Sequence, residues 1–282
     1  MEIGTFVKQY KGKDLGKVPK SKLLEDGWYV GIKYDGNYCQ IHKKGQQVWM
    51  FTSSGEPFTV RELLDELLTI PFDFIIEAEF NNNSDGLKLN DRRKSSTGTP
   101  RADFKKGIIT SMPDSQLRVF DILWRSNSHI TPREYRSYNF KQRNELLVMF
   151  DINLVRPVGF KSNMTLKQAQ AFARGIISQG GEGAFAFHET HTIKDKGRSN
   201  LAIKLKADNR AIMVCIGADV SETVECEWGA LKLQDNKGNI QSFGGLSDKI
   251  RKYYPFVPTG SNFEVRYESF TDGKYIQGFI SE

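Results

Sequence analysis

The chain contains five short apolar segments of strand length, each carrying one or more charged residues. They span residues 28–33, 75–80, 117–123, 182–187 and 202–206. Successive side chains of a strand point to opposite faces, so each segment can bury its apolar side and present its charges on the other. The pattern predicts sheets that bring lysines and carboxylates to one cleft.

Lys33 ends the first segment, two residues before Asp35 and Gly36. A strand holds the ammonium group in one place, and the glycine lets the backbone turn and approach a ligand closely. A lysine placed in this way can be a covalent nucleophile. Lys-x-Asp-Gly alone also fits a surface lysine before an Asp-Gly turn. The downstream carboxylates can hold a divalent cation and the downstream lysines can neutralise phosphate oxygens, as nucleotidyl transfer requires.

The order of these segments resembles the covalent nucleotidyltransferases, which are ATP-dependent DNA ligases, RNA ligases and mRNA capping enzymes. The most similar branch is the minimal two-domain ATP-dependent DNA ligase, and the resemblance covers about residues 28–206. It implies that ATP is the AMP donor, that Lys33 becomes adenylylated and that the Phe120 ring stacks on the base. The nucleotide-binding residues that it implies are Ile32, Lys33, Glu79, Phe120, Lys204 and Lys206. It also implies Mg²⁺ or Mn²⁺ at Glu79 and Glu182.

The function implied by the resemblance is the sealing of nicks in double-stranded DNA. Lys33 attacks the α-phosphorus of ATP, the AMP moves to the 5′-phosphate of the nick, and the 3′-hydroxyl then expels AMP. The alternatives are an RNA ligase, a capping-type guanylyltransferase that uses GTP, and a non-catalytic nucleic-acid binder of the same fold.

Several positions depart from the ligase pattern. Tyr38 and Ser53 stand where the family usually has arginines that grip the 5′-phosphate, and Phe187 stands where a lysine or arginine is common. No Arg-x-Asp-Lys run occurs before Glu282, so either the chain ends short of it or lysine adenylylation is differently organised. The substitutions indicate that other cations bind the nick or that the substrate differs.

A basic segment rich in hydroxyl residues lies between the second and third apolar segments. We predict a flexible loop that grips the phosphates of DNA, because cations together with hydroxyl and backbone donors suit a polyphosphate backbone. Its predicted DNA-binding residues are Lys88, Arg92, Arg93, Lys94, Arg101, Lys105 and Lys106. A merely solvated loop is the alternative.

The predicted fold class is α+β. Residues 1–207 are expected to form an adenylation domain, a nucleotidyltransferase (ATP-grasp-like mixed α/β) fold, and residues 208–282 a small β-barrel OB-fold domain. Thr59 and Thr165 each begin a run typical of a helix N-terminus, with Glu62 and Gln168 three residues later.

The remaining sequence features indicate the kind of partner and the compartment of the protein. The net charge of +6 suits a nucleic-acid partner. No run approaches about 18 apolar residues, and the N-terminus has no long apolar stretch, so neither a membrane span nor secretion is expected. Cys39, Cys215 and Cys226 have no metal-ligand spacing and are expected to be reduced thiols. We expect a cytoplasmic monomer, or one in the host cytoplasm if the chain is viral.

Overall fold

The chain divides into two compact units, residues 1–206 and 207–282. The structure is a computed structural model. It describes residues 2–8, 11–15, 18–19, 21, 24–82, 89–126, 134–179, 181–193, 198–207, 209–219, 229–244, 246, 253, 256–267, 269–271, 273–276 and 278–280. The predicted boundary lies one residue later, and the roles assigned to the two domains remain predictions.

The first unit is built on two sheets. One has the strand order β1-β11-β10-β2-β9, formed by β1 Lys11–Asp14, β2 Trp28–Lys33, β9 Lys161–Met164, β10 Gly183–His188 and β11 Arg198–Lys206. The other has the order β5-β4-β3-β6-β7-β8, formed by β3 Asn37–Lys44, β4 Gln47–Thr52, β5 Pro57–Phe58, β6 Phe74–Asn82, β7 Ser115–Arg125 and β8 Val155–Pro157. Among the described strands of this unit, the β1–β11 and β7–β8 pairs are parallel and the other pairs are antiparallel.

Four helices accompany the sheets in the part of this unit that is described. They are α1 Arg61–Thr69, α2 Leu89–Phe104, α3 Phe140–Leu147 and α4 Leu166–Ser178. The α4 helix begins at the predicted Thr165 cap, which accepts from Gln168 N while the Gln168 side chain accepts from Thr165 N. Its apolar side packs on the first sheet, where Trp28, Val30, Ile203 and other apolar residues are buried. No helix of the described residues is both long and apolar enough to cross a membrane.

The basic segment contradicts the predicted loop, because most of it lies in α2, a helix of 16 residues that contains Pro100. Packing explains the difference, since Pro100 is buried and tertiary contacts override a low helix propensity. Lys88 and the side chains of Arg92, Arg93 and Lys94 lie outside the described residues. At the end of the helix, Arg101 and Lys105 approach the Glu56 carboxylate at 4.0 and 3.3 Å, and Lys106 is exposed.

The second unit is a β-domain. Its main sheet has the order β14-β13-β12-β15-β18, formed by β12 Asn209–Asp219, β13 Ala230–Gln234, β14 Ile240–Phe243, β15 Asn262–Tyr267 and β18 Phe279–Ile280. A two-stranded ribbon pairs β16 Ser269–Thr271 with β17 Lys274–Ile276. Alternating residues such as Met213, Cys215, Leu231, Leu233 and Val265 form its core. The mixed first unit and this β-domain confirm the predicted α+β, nucleotidyltransferase and OB-fold class.

Asp235 organises the turn between β13 and β14. Its carboxylate accepts from Lys237 N at 2.8 Å, Asn239 N at 2.9 Å and the Tyr275 hydroxyl at 2.6 Å. Burial acts to raise the pKa of Asp235, but these hydrogen bonds outweigh it and hold the pKa well below its usual value.

We expect Asp235→Ala to destabilise the second unit by about 2–3 kcal/mol, because hydrogen bonds to a charged acceptor are among the stronger ones. The folded pKa is depressed, so the stabilisation is present above the ordinary pKa of about 4 and is lost as the pH falls through the folded value. Thermal unfolding between pH 2 and 7 measures this. A variant whose melting temperature keeps the wild-type dependence on acid pH would contradict the assignment.

Candidate active site

The first wall of the site comes from one face of β2, β10 and β11. Strand alternation turns Val30 and Ile203 toward α4, and Tyr29, Phe187 and Ala202 toward the opposite side. Lys33 ends β2 on that opposite face. The predicted segments 28–33, 182–187 and 202–206 therefore lie side by side, with β10 in the middle.

Glu182 joins the two predicted lysine sites. Gly183 pairs in register with Lys33 on β2 and with Lys206 on β11, which places Glu182 between the two ammonium groups. Lys33 Nζ lies 2.6 Å from Glu182 Oε2, and Lys206 Nζ lies 2.6 Å from Glu182 Oε1. Gly183 has φ +136°, and a Cβ there would lie 2.1 Å from the Leu205 carbonyl oxygen, so only glycine fits.

The second wall comes from β3, β6 and β7, where Glu79 faces the cavity. Burial raises the pKa of Glu79 to about 7; Lys33 opposes the rise, while Glu182 and Asp35 add to it. The turn between the two walls requires Gly36, because a Cβ there would lie 2.6 Å from the Phe80 carbonyl oxygen. Gly36 therefore allows the backbone of this turn to lie close to β6.

A bulge in β7 turns Phe120 into the cavity. Glu77 pairs with Asp121 while the next residue, Ala78, pairs with Val119, so Phe120 is the extra residue. Its ring faces Phe185 of β10, with ring centroids 6.4 Å apart and planes 23° apart. Phe185 was not among the predicted site residues. Its only signal was its place in β10 on the same strand face as Phe187.

Tyr38 occupies one of the two positions where arginine was expected, and it pairs with an acid. Its hydroxyl donates to Glu77 Oε1 at 2.6 Å. Burial raises the pKa of Glu77 to about 8, and nearby Asp121 adds to the rise. Burial and Glu77 also raise the pKa of Tyr38 well above its usual value. Neither a phenol nor a carboxyl group carries a positive charge, so the pair contributes no cation to the wall.

Arg143 of α3 supports this wall from behind. The side chain is fully buried, and its Nε and Nη2 donate to the two carboxylate oxygens of Asp121 at 2.8 and 3.0 Å. Its Nη1 donates to the carbonyl oxygens of Tyr138 at 2.6 Å and His191 at 3.0 Å. This network fixes the residue that follows Phe120.

The two walls enclose a cavity of about 280 Å³. Of the predicted nucleotide site, it is lined by Ile32, Lys33, Glu79, Phe120 and Lys204. The predicted Lys206 and Glu182 join the site through their ion pairs with each other and with Lys33. Lining residues that were not among the predicted site residues include Val7, Lys8, Tyr34, Glu77, Asp121, Phe160 and Phe185.

The predicted metal ligands suit a hard cation in type and number. Glu79 and Glu182 are close enough for the charge of one to raise the pKa of the other, a repulsion that a divalent ion would relieve. Within the described ranges, no group of three or more acidic, histidine or cysteine side chains is placed to hold an ion. Two protein carboxylates are typical of Mg²⁺, which keeps water or phosphate as its other ligands.

Comparisons with known proteins agree with this geometry. Residues 15–206 match the family model of the ATP dependent DNA ligase domain. A structure from a study of Lig E DNA ligases, described as DNA binding with a minimal scaffold, is 15% identical with a TM-score of 0.70, covering 98% of this chain and 99% of that one. No curated protein matches the chain.

Two further solved structures are similar. A structure named Pmar-Lig_Pre is 18% identical with a TM-score of 0.68, covering 98% of this chain and 67% of that one. The ATP-dependent DNA ligase of bacteriophage T7 in complex with ATP is 13% identical with a TM-score of 0.50, covering 97% and 98%. At these identities the likeness establishes the fold.

Proposed function

The chain belongs to the family of ATP-dependent DNA ligases, and we propose that it seals nicks in duplex DNA by carrying AMP on Lys33. The observation that carries this assignment is the position of Lys33. Its amine lies at the edge of a cavity that also contains an acid, a second lysine and a pair of facing aromatic rings.

The facing rings of Phe120 and Phe185 suit a nucleobase. A base stacked between two rings needs about 7 Å between the ring planes, twice the optimal carbon–carbon separation of about 3.5 Å. The ring centroids lie 6.4 Å apart, so one ring must move outward for a flat base to enter. Base–aromatic stacking stabilises binding by about 1–3 kcal/mol per base. We propose that Phe185 is the second stacking partner of adenine.

The amine of Lys33 must lose a proton before it can attack phosphorus. Glu182 is the carboxylate at 2.6 Å and can accept that proton as the nucleotide arrives. Lys206 contacts the other oxygen of Glu182 and holds the carboxylate in place. Lys204 lines the cavity, and we propose that it contacts phosphate oxygens of the nucleotide.

Glu79 and Glu182 would hold the Mg²⁺ or Mn²⁺ of this reaction. A bound divalent ion neutralises charge on the transferring phosphoryl group. Because both oxygens of Glu182 contact lysines, we expect Glu79 to provide the more accessible oxygen.

We propose that the basic helix α2 contacts duplex DNA. Replacing Arg92, Arg93 and Lys94 together by alanine should weaken binding and lower the slope of log affinity against log salt by up to about 3, since each phosphate contact contributes about 0.9. Fluorescence anisotropy with a nicked duplex between 50 and 300 mM salt measures the slope. Glu56→Gln is a control that should strengthen DNA binding, because it removes the negative charge beside Arg101 and Lys105. An unchanged slope in the triple variant would remove this helix from the DNA interface.

One experiment tests the central proposal. The purified protein is incubated with Mg²⁺ and α-phosphate-labelled ATP, the labelled peptide is mapped by mass spectrometry, and a singly nicked duplex is then added as a chase. We expect label on Lys33 that moves to the 5′-phosphate and is released as AMP when the nick closes. Label from GTP, or transfer only to RNA ends, would favour the alternative nucleotidyltransferases. Sedimentation of the same sample tests the expected monomer.

A further inference from the structure

The first eight residues of the chain bring a cation to the active-site cavity. Val7 and Lys8 line it beside Tyr38 and Ser53. Those two neutral side chains leave this side of the cavity without a cation from β3 or β4. Among the described residues, the lysines that line the cavity are Lys8, Lys33 and Lys204. Lys33 ends β2 and Lys204 lies in β11, whereas Lys8 lies outside the strands.

The segment is held on the sheet by specific hydrogen bonds. The Gln40 side chain makes two hydrogen bonds to the Val7 backbone, accepting from Val7 N at 2.7 Å and donating to Val7 O at 3.0 Å. Gly4 N donates to His42 Nδ1 at 3.0 Å, and burial lowers the pKa of His42 to about 4, which keeps that nitrogen an acceptor at neutral pH. The Phe6 and Phe51 rings pack with centroids 6.0 Å apart.

These contacts fix the backbone one residue before Lys8, while its side chain stays exposed. Because the backbone beside Lys8 is already fixed, only the side chain of Lys8 loses conformational freedom when it binds an anion. Resting on the proposed function, we infer that Lys8 binds the terminal 5′-phosphate of the nick, and that Gln40 is the residue that positions it. A phosphate monoester is the chemistry that such a cation recognises.

The test compares two nicked duplexes that differ only in a 5′-phosphate or a 5′-hydroxyl at the nick. We expect the wild-type protein to bind the phosphorylated nick about tenfold more tightly, the ratio that about 1.4 kcal/mol from one charge-assisted contact gives. Lys8→Ala should bring the ratio close to one, and Lys8→Arg should retain most of it. Lys44→Ala is the matched control, an exposed lysine of the same sheet that does not line the cavity, and it should keep the wild-type ratio.

A double-mutant cycle tests the positioning role of Gln40. Gln40→Leu should lower the same ratio although Lys8 is present, and the Gln40→Leu, Lys8→Ala double variant should be no worse than Lys8→Ala. Circular dichroism confirms that each variant is folded. If the reductions of the affinity ratio in the two single variants add up in the double variant, Gln40 does not act by positioning Lys8.

A wild-type ratio in Lys8→Ala would overturn the inference about Lys8. Slower labelling by ATP with an unchanged ratio would also overturn it, because Lys8 would then serve the phosphates of the nucleotide. Neither result bears on whether Lys33 carries AMP, since mapping of the label in the wild-type protein decides that separately.

Discussion

Lys33→Ala is expected to reduce covalent labelling by α-phosphate-labelled ATP to the background and to abolish nick sealing. The amine is the group that forms the bond to phosphorus, so its loss leaves no covalent intermediate. Label that stays on the protein through denaturing electrophoresis at neutral or alkaline pH and is lost in acid, as a phosphoramidate should be, measures the first effect, and closure of a singly nicked duplex measures the second. Label that persists at the wild-type level would eliminate Lys33 as the nucleophile.

Two variants separate chemistry from structure in this result. Lys33→Arg keeps a cation beside Glu182 at a contact that is 2.6 Å in the native protein, but a guanidinium does not lose its proton and should be equally inactive. Lys44→Ala, on an exposed position away from the cavity, should label as the wild type does. Unfolding midpoints close to that of the wild type would show that the losses are chemical.

Arg143→Met is expected to lower the free energy of unfolding of the first unit by about 3–5 kcal/mol. Removing one partner of a buried ion pair leaves the other charge without compensation in a medium of low polarity. Here the uncompensated group is Asp121, and the carbonyl oxygens of Tyr138 and His191 also lose their donor. Urea unfolding followed by tryptophan fluorescence measures the loss.

The controls for this variant follow from the same contacts. Asp121→Asn in the Arg143→Met background should recover part of the loss, because an amide is cheaper to bury than a carboxylate. Arg156→Met changes an exposed arginine and should cost less than about 0.5 kcal/mol. If Arg143→Met costs no more than Arg156→Met, the buried network does not stabilise the unit.

Strand alternation together with the family resemblance predicted the first wall of the site. In the segment that ends in Lys206, lysines alternate with apolar residues, and alternation fixes which side chains share a face. Of this wall, Lys33 and Lys204 line the cavity, and Glu79 and Phe120 reach it from the second wall. Their chemical roles remain predictions.

The second wall depended on features that periodicity does not encode. The bulge at Phe120 breaks the two-residue period of β7. Phe185 has the pattern of a core residue, and only its contact with Phe120 across the cavity indicates another role. The Tyr38–Glu77 pair joins residues 39 positions apart in sequence, which local patterns do not report.

Helix ends show a similar contrast. Thr165 caps α4 as predicted, whereas α1 begins after Val60, and the predicted Thr59 cap is wrong. Glu62, the expected partner of Thr59, accepts instead from Met112 N at 2.8 Å and from the Ser111 hydroxyl. A tertiary contact thus displaced the local motif.

The ion pairs around Glu182 also affect how readily the Lys33 amine reacts with small electrophiles. The Lys33 amine is held at 2.6 Å by the Glu182 carboxylate, so acetylating and carbamylating reagents must displace that contact before they can react with the amine. The acid that we propose as the proton acceptor for this amine would thereby also shield it from competing electrophiles.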